Sequence, residues 1–341
     1  MTTLNTPLSR AQGCLAGQIA GDSLGSLVEF ETRAAIERRY PGGVRLLSNG
    51  GTWGTIAGQP TDDSELALAL VHSLALLGRY DVEAVAQSYA KWYASGPFDI
   101  GSTTGAALSA AAAASAGAGA ARAAQGAASR SSQSNGGLMR ISPLGIFGTR
   151  LIPADLAASA RADAALTHPH IVCQDSNVVY TSAIAFAIRT GEPPDRVYAH
   201  ALEALESNAI VASVGRCVRE AASGPPADYQ GQQGWVLIAL QNAFYQLLHA
   251  PNLEEGIVNT VQRGGDTDTN GAIAGALLGA VWGLEAVPAQ WIESILSCRP
   301  VKGGRDVRRP RPEEYWPVDI LTLAGTLLGT GTSQERSGRQ A

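Results

Sequence analysis

The apolar residues of this chain recur mostly at helical spacing. Ala, Leu and Ile stand at i, i+3 and i+4 in ten stretches, and none alternates apolar and polar residues as a half-buried strand would. The pattern therefore predicts an all-α protein of about a dozen helices. The ten stretches are residues 8–28, 64–77, 82–93, 104–128, 177–189, 195–206, 235–248, 253–261, 271–282 and 289–297.

Two of the predicted helices carry a glycine at every fourth position. A glycine inside a helix costs roughly 0.5–1 kcal/mol relative to alanine, so four on one face need a compensating gain. We interpret each series as the face on which a central helix packs closely against a neighbouring helix. The two helices are candidates to pack against each other. The alternative is compositional drift in a chain with 39 glycines. The glycines are Gly13, Gly17, Gly21 and Gly25, and Gly271, Gly275, Gly279 and Gly283.

Composition excludes several classes of protein. With 341 residues, 45 % of them hydrophobic, the chain can bury a core and does not have the composition of a disordered protein. The net charge of −5 does not fit a nucleic-acid-binding surface, because the basic residues are dispersed apart from one late arginine cluster. That cluster consists of Arg305, Arg308, Arg309 and Arg311.

Neither a membrane span nor a secretory signal is expected. The apolar runs are interrupted by glycine before they reach the ~20 residues that a span needs, and the first ten residues lack the pattern of a signal peptide. A cytoplasmic location is therefore predicted, with four widely spaced cysteines as reduced, buried thiols. We expect one compact domain over residues 1–328 and a disordered polar tail over residues 329–341.

The strongest chemical signal is a pair of acidic clusters, 61–63 and 266–269, each just before a predicted helix. Such residues can simply cap a helix, with help from Ser64 and Asn270. Capping needs only one small polar residue, however, and each cluster has two aspartates beside threonine. If the clusters meet, four carboxylates would repel one another unless divalent cations neutralise them. Hard oxygen ligands suit Mg²⁺, Mn²⁺ or Ca²⁺, and two such ions could orient an oxygen-rich substrate and activate water.

Three other motifs can be tested on these residues. Asp266 could open an EF-hand loop, but the twelfth position is Leu277, where a bidentate glutamate is required. The D-x-D spacing also occurs in the phosphatase motif of the haloacid-dehalogenase type. That motif should follow a buried strand, so a Mg²⁺-dependent phosphatase is kept only as an alternative. His168 and His170 form an H-x-H pair that could bind a metal, cap a turn or contact a ligand.

Five segments in order resemble the ADP-ribosylglycohydrolase family. Together they span about residues 13 to 300, and the ordered set is more specific than any one segment. The resemblance implies an all-helical fold with a central dinuclear site for two Mg²⁺ or Mn²⁺ ions. It also implies hydrolysis of the bond between C1″ of ADP-ribose and its acceptor. The segments are residues 17–25 with Glu29, 61–65, 135–140, 167–168 and 264–272.

Carried over by position, the resemblance assigns roles to thirteen residues. Glu29 and Asp99 are catalytic candidates, although Glu29 could be a solvated loop residue and Asp99 a helix N-cap. The implied metal ligands are Thr61, Asp62, Asp63, Asp266, Asp268 and Thr269. The implied contacts to substrate are Gly101, Asn135, Gly136, Met139 and His168.

The expected substrate is ADP-ribose on a modified protein side chain, or ADP-ribose itself. Segment 96–101 is similar to the arginine-directed branches, which favours ADP-ribosyl-arginine over ADP-ribosyl-serine. Leu138 and the long Ala/Ser insertion before it depart from the common family pattern at the adenosine end of the cleft. A non-catalytic ADP-ribose-binding or structural relative is the alternative from another class, and its mark would be loss of the metal ligands.

Overall fold

The structure is a computed structural model that describes residues 5–114 and 119–329. Within these ranges it contains sixteen α-helices and no β-strand, so the predicted all-α fold is confirmed. The helices are α1 Pro7–Gly25, α2 Arg33–Arg39, α3 Asp62–Leu77, α4 Val82–Ala94, α5 Ser102–Ala113, α6 Ala120–Ala127, α7 Ser142–Phe147, α8 Pro153–Thr167, α9 Ile171–Thr190, α10 Pro194–Ser207, α11 Ala212–Glu220, α12 Val236–His249, α13 Leu253–Gln262, α14 Thr267–Trp282, α15 Ala289–Ser297 and α16 Ile320–Leu328.

Helices α1 and α14 form the centre of the fold, and they run antiparallel. A Cβ added to any of the four α1 glycines would lie within 3.0 Å of backbone atoms of the facing segment. Gly17 faces Gly275 and Gly21 faces Gly271, so the two glycine series pack against each other as the spacing suggested. The close contact brings the end of α1, at Gly25, against Asp268 at the start of α14.

Each of the ten predicted stretches contains a helix, but five helices were not predicted: α2, α7, α8, α11 and α16. The longest of these, α8, buries three alanines, two leucines, Asp163 and Thr167, which is too weak an apolar periodicity to identify it from sequence. It is helical because it packs against α9. Packing energy of this kind decides helix formation where the local pattern does not.

The stretch predicted as one helix over residues 104–128 is divided into α5 and α6. Residues 115–118 between them lie outside the described part of the chain. The carboxylate of Glu83 on α4 accepts hydrogen bonds from the backbone N–H groups of Gly119, Ala120 and Ala121. These groups have no partner within their own helix, so Glu83 fixes a second helix start at this point.

Helix α9 is long and apolar enough to cross a membrane when judged by length and composition alone. It is instead mostly buried, since 78 % of its apolar window lies inside the protein, as in a core helix. The four cysteines are free and buried, as expected. Of the predicted tail, residues 330–341 lie outside the described residues.

Candidate metal centre and active-site cleft

The two acidic clusters occupy the first turns of α3 and α14. The helices begin at Asp62 and Thr267, earlier than predicted, so Ser64 and Asn270 lie inside them and the alternative interpretation of these two residues as caps is wrong. The N-cap residues are Thr61 and Asp266, and neither makes a side-chain capping bond. The acidic side chains are therefore available for something other than capping.

Asp22 on α1 caps α3 from outside. Its carboxylate accepts hydrogen bonds from the backbone N–H groups of Thr61 at 3.0 Å and Ser64 at 3.1 Å, and from the Thr61 hydroxyl at 2.9 Å. These bonds hold the start of α3 against α1. Asp22 was part of the matched sequence segment but was not among the predicted site residues. The available signal was that Asp22 is the one acidic residue of α1.

The start of α14 is held at the same end of α1. The Thr267 hydroxyl donates to the Gly25 carbonyl at 2.7 Å, and the Asn135 side-chain amide donates to the Asp266 carboxylate at 2.7 Å. Asp22 thus bonds to the start of α3, and Gly25, about one turn further along α1, bonds to the start of α14. This arrangement brings together clusters that are about two hundred residues apart in the sequence.

A cavity of about 420 Å³ opens at this junction. Eleven of the thirteen predicted site residues line it. The other two, Thr61 and Asp63, flank Asp62 in the sequence and are fully buried. The lining residues are Glu29, Asp62, Asp99, Gly101, Asn135, Gly136, Met139, His168, Asp266, Asp268 and Thr269.

Glu29 is held over the acidic centre by the loop that follows α1. It is only 6 % exposed, and its carboxylate accepts a hydrogen bond of 2.6 Å from the indole N–H of Trp53. Backbone hydrogen bonds join Phe30 N–H to the Gly265 carbonyl at 2.8 Å and Gly265 N–H to the Glu31 carbonyl at 3.0 Å. Glu29 is therefore not the solvated loop residue of the alternative interpretation. One carboxylate oxygen each of Glu29, Asp266 and Asp268 lie within 4.8 Å of one another.

Burial raises the pKa of every carboxyl group at this centre, and repulsion between carboxylates raises most of them further. The pKa of Asp62 is raised to about 8, mainly by burial and then by Asp22. The pKa of Glu29 is raised to about 8 by burial and by Asp99, and that of Asp99 to about 9 by burial and by Asp62. Burial also raises the pKa of Asp22 to about 6, against the opposing effect of its hydrogen bonds. With nothing to neutralise them, Glu29, Asp62 and Asp99 would hold protons at neutral pH, whereas Asp22 would be largely ionised.

The donor set fits hard divalent cations. Carboxylate and hydroxyl oxygens are the groups that face one another here, and no lysine or arginine is found among the described residues that line the cavity. Oδ1 of Asp63 is buried and has no hydrogen-bond partner in the described part of the chain. A buried carboxylate oxygen without a partner is costly, and a cation would satisfy it.

The opposite wall of the cleft is uncharged. His168 is 1 % exposed, and burial lowers the pKa of its imidazole to about 3, with a further contribution from Arg140. Gly136 lies against it, since a Cβ there would be 2.9 Å from His168 Cε1 and 2.8 Å from the Thr104 hydroxyl. Only glycine fits this position without displacing the imidazole.

Sequence reasoning missed several residues that line or support the cleft. Trp53 and Phe30 reach it from the loops beside Glu29, and Ser134 and Gln233 line its uncharged part. Lone aromatic and hydroxyl residues in loops give no pattern in one sequence. Arg140 was within a matched segment, and its burial at 0 % exposure is visible only in the structure.

Fold and site together define an all-helical protein with a buried acidic centre, suited to divalent cations, at one end of an uncharged cleft. Comparisons with known proteins agree with this class. The family model "ADP-ribosylglycohydrolase" matches residues 3–316. The chain belongs to the ADP-ribosylglycohydrolase family, as the sequence resemblance indicated.

Individual relatives match over most of their length. An ADP-ribosyl-[dinitrogen reductase] glycohydrolase of Rhodospirillum rubrum is 30 % identical over 319 residues, covering 93 % of this chain and 97 % of the relative. The ADP-ribosylarginine hydrolase Tri1 of Pseudomonas putida is 26 % identical, covering 84 % of this chain and 74 % of the relative. A solved ADP-ribosylglycohydrolase-related protein complex is 26 % identical with a TM-score of 0.75, covering 96 % of this chain and all of that one.

Proposed function

We propose that the protein is a Mg²⁺- or Mn²⁺-dependent hydrolase that removes ADP-ribose from modified arginine side chains. The observation that carries the proposal is the convergence of both aspartate clusters on one cleft in a chain of this family. A non-catalytic relative would be expected to have lost cation ligands, whereas all six positions here have oxygen-bearing side chains. A phosphatase of the D-x-D type would need a strand before Asp266, and this aspartate follows α13 and a glycine turn.

Two groups of residues would hold the cations. Thr61, Asp62 and Asp63 offer oxygens from α3, and the other three ligands come from the start of α14. Two bound divalent ions would orient the ribose hydroxyls and lower the pKa of a water molecule at neutral pH. Glu29 is close enough to Asp266 and Asp268 to join the second group.

The remaining carboxyl group, Asp99, is our candidate for handling the proton. We assign to it the proton that the departing nitrogen gains, because burial and the neighbouring Asp62 raise its pKa, to about 9 when no cation is bound. In the overall reaction the bond from C1″ to the arginine nitrogen breaks and a bond from C1″ to a water oxygen forms. The proton that the water loses balances the one that the leaving nitrogen gains. Positive charge that develops on the sugar is stabilised by the carboxylates around it.

Arginine is the preferred acceptor for two reasons. The guanidinium group is cationic, and the cleft is lined by carboxyl groups and by the aromatic residues Phe30 and Trp53. Carboxylates and aromatic faces both attract guanidinium groups, and neither favours a serine hydroxyl to the same degree. The similarity to an ADP-ribosylarginine hydrolase supports the same preference.

The experiment compares two substrates under three conditions. ADP-ribosyl-arginine and ADP-ribosyl-serine peptides are incubated with the protein in Mg²⁺, Mn²⁺ or EDTA, and free ADP-ribose is measured by chromatography. We expect release from the arginine peptide that EDTA abolishes, with a kcat/KM at least tenfold above that for serine. Absence of metal-dependent release from both peptides, with ADP-ribose still bound, would instead support a non-catalytic relative.

A further inference from the structure

Arg140 is a buried cation that contacts both sequence motifs of the uncharged wall. Its Nε donates to Asp163 Oδ1 at 3.1 Å, and Tyr89 donates to the other oxygen of that carboxylate at 2.9 Å. Its Nη1 donates to the Gly136 carbonyl at 3.1 Å and to the Thr167 hydroxyl at 2.8 Å. One guanidinium thus holds both the loop that begins at Asn135 and the end of α8.

The Thr167 hydroxyl also contacts His168 and determines which nitrogen of its imidazole carries the proton. Because a guanidinium can only donate, the Thr167 oxygen accepts from Arg140 and keeps its own proton to give away. His168 Nδ1 lies 2.8 Å from that oxygen, and among the described residues no other acceptor is bonded to the hydroxyl. The Thr167 proton therefore points to Nδ1, which must be unprotonated.

The proton of the neutral imidazole is consequently on Nε2. This atom lies 2.8 Å from the Ser134 hydroxyl oxygen, which accepts its hydrogen bond. Ser134 then has its own proton, which it can donate to the neighbouring Ser132 hydroxyl at 3.1 Å or, because it lines the cleft, to a ligand. In the other tautomer Ser134 would have to donate to the histidine, and it would present only lone pairs to a ligand.

We propose that Arg140 is a positioning residue that acts through Thr167 to fix the tautomer of His168, so that Ser134 donates a hydrogen bond to an anionic oxygen in the cleft. The proposal rests on the proposed function, because the diphosphate of ADP-ribose is the anion that this wall would hold. No lysine or arginine among the described residues lines the cavity to attract such a group. Uncharged hydrogen-bond donors such as Ser134 must therefore hold the diphosphate. The buried guanidinium of Arg140 fixes the direction in which Ser134 donates.

The test removes one hydroxyl without removing the buried charge. Thr167→Val keeps the ion pair of Arg140 with Asp163, and Thr167→Ser restores a hydroxyl. Thr181→Val is the matched control, because Thr181 is also fully buried in a helix and its hydroxyl bonds only within α9. ADP-ribose binding is measured by calorimetry, and KM and kcat are measured with the ADP-ribosyl-arginine peptide.

We expect Thr167→Val to weaken ADP-ribose binding about tenfold and to raise KM with little change in kcat, as for one lost oriented hydrogen bond. Thr167→Ser and Thr181→Val should bind as the wild type does. Ser134→Ala should weaken binding to a similar degree, and the double variant with Thr167→Val should be no weaker than Ser134→Ala alone. Wild-type binding by Thr167→Val, or independent effects that multiply in the double variant, would overturn the proposal.

A spectroscopic measurement decides the tautomer without reference to turnover. The protein is labelled with ¹⁵N in its five histidines, and His168 is assigned by its loss in His168→Asn. At neutral pH the wild type should show a protonated Nε2 and an unprotonated Nδ1 at this residue. A protonated Nδ1 or an imidazolium would overturn the proposal even if the enzyme is active. Failure of the wild type to bind ADP-ribose would instead overturn the proposed function.

Discussion

Replacing Asp266 by asparagine is expected to lower the metal-dependent release of ADP-ribose about a thousandfold or more. Asp266 is grouped with Glu29 and Asp268, and it faces Asp62 across the cleft. An asparagine has nearly the same shape but no charge, so the site loses one anionic ligand. The Asn135 amide can still donate a hydrogen bond, to the side-chain oxygen of the new asparagine. Losses of this size are typical when a preorganised electrostatic group is removed from an active site.

The fold should survive this substitution. The carboxyl groups of the centre repel one another, so removing one negative charge relieves strain when no cation is bound. Initial rates are measured across Mg²⁺ and Mn²⁺ concentrations, with circular dichroism to confirm folding. The matched control is Asp195→Asn, an exposed residue in the first turn of α10, which should keep wild-type activity. Wild-type turnover by Asp266→Asn would exclude it as a ligand.

Replacing Gly275 by leucine is expected to destabilise the protein by at least about 3 kcal/mol and to abolish cation binding. A Cβ at this position would overlap the backbone of Gly17, with its carbonyl carbon only 2.7 Å away, and the Ile257 side chain at 3.1 Å. Helices α1 and α14 would have to separate, and their separation would move Asp268 away from the end of α1. The loss of stability and the loss of the site thus have one cause.

Two further glycine variants separate this effect from the general cost of a larger side chain. A Cβ added to Gly126 on α6 would meet no atom within 4 Å among the described residues, so Gly126→Leu should change the melting temperature little. Gly275→Ala introduces only the first overlapping atom and should fold with reduced stability and weaker Mn²⁺ binding. Thermal melts and Mn²⁺ calorimetry check all three variants. Retention of both stability and binding in Gly275→Leu would show that the close packing is unimportant.

The central packing and the acidic centre could be predicted from sequence because both leave periodic or paired signals. Glycines every four residues predicted the contact of α1 with α14, and the paired aspartates predicted a shared site. The family resemblance then supplied Glu29, Asp99 and the uncharged wall, all of which line the one cleft. Their chemical roles remain proposals.

Other features depend on contacts between distant residues and leave no local pattern. Asp22 reaches across to cap α3, so its role depends on how α1 and α3 pack. The path from Arg140 to Ser134 runs through a second segment, residues 167–168, and its direction follows from which atoms can donate. Helix α8, which ends at Thr167 in that path, was missed because its buried face combines alanines with the polar residues Asp163 and Thr167 and has only two leucines.

The most direct test of the proposed cation site is the position of Mn²⁺ in crystals of the protein, measured by anomalous diffraction. The central claim is that α1, packed on α14, brings two aspartate clusters together to hold two cations. We expect two anomalous peaks in the cleft, one or both within ligand distance of Asp62 or Asp63 from α3 and of Asp266 or Asp268 from α14. Peaks on the surface alone, or no peak between the two clusters at saturating Mn²⁺, would contradict this claim.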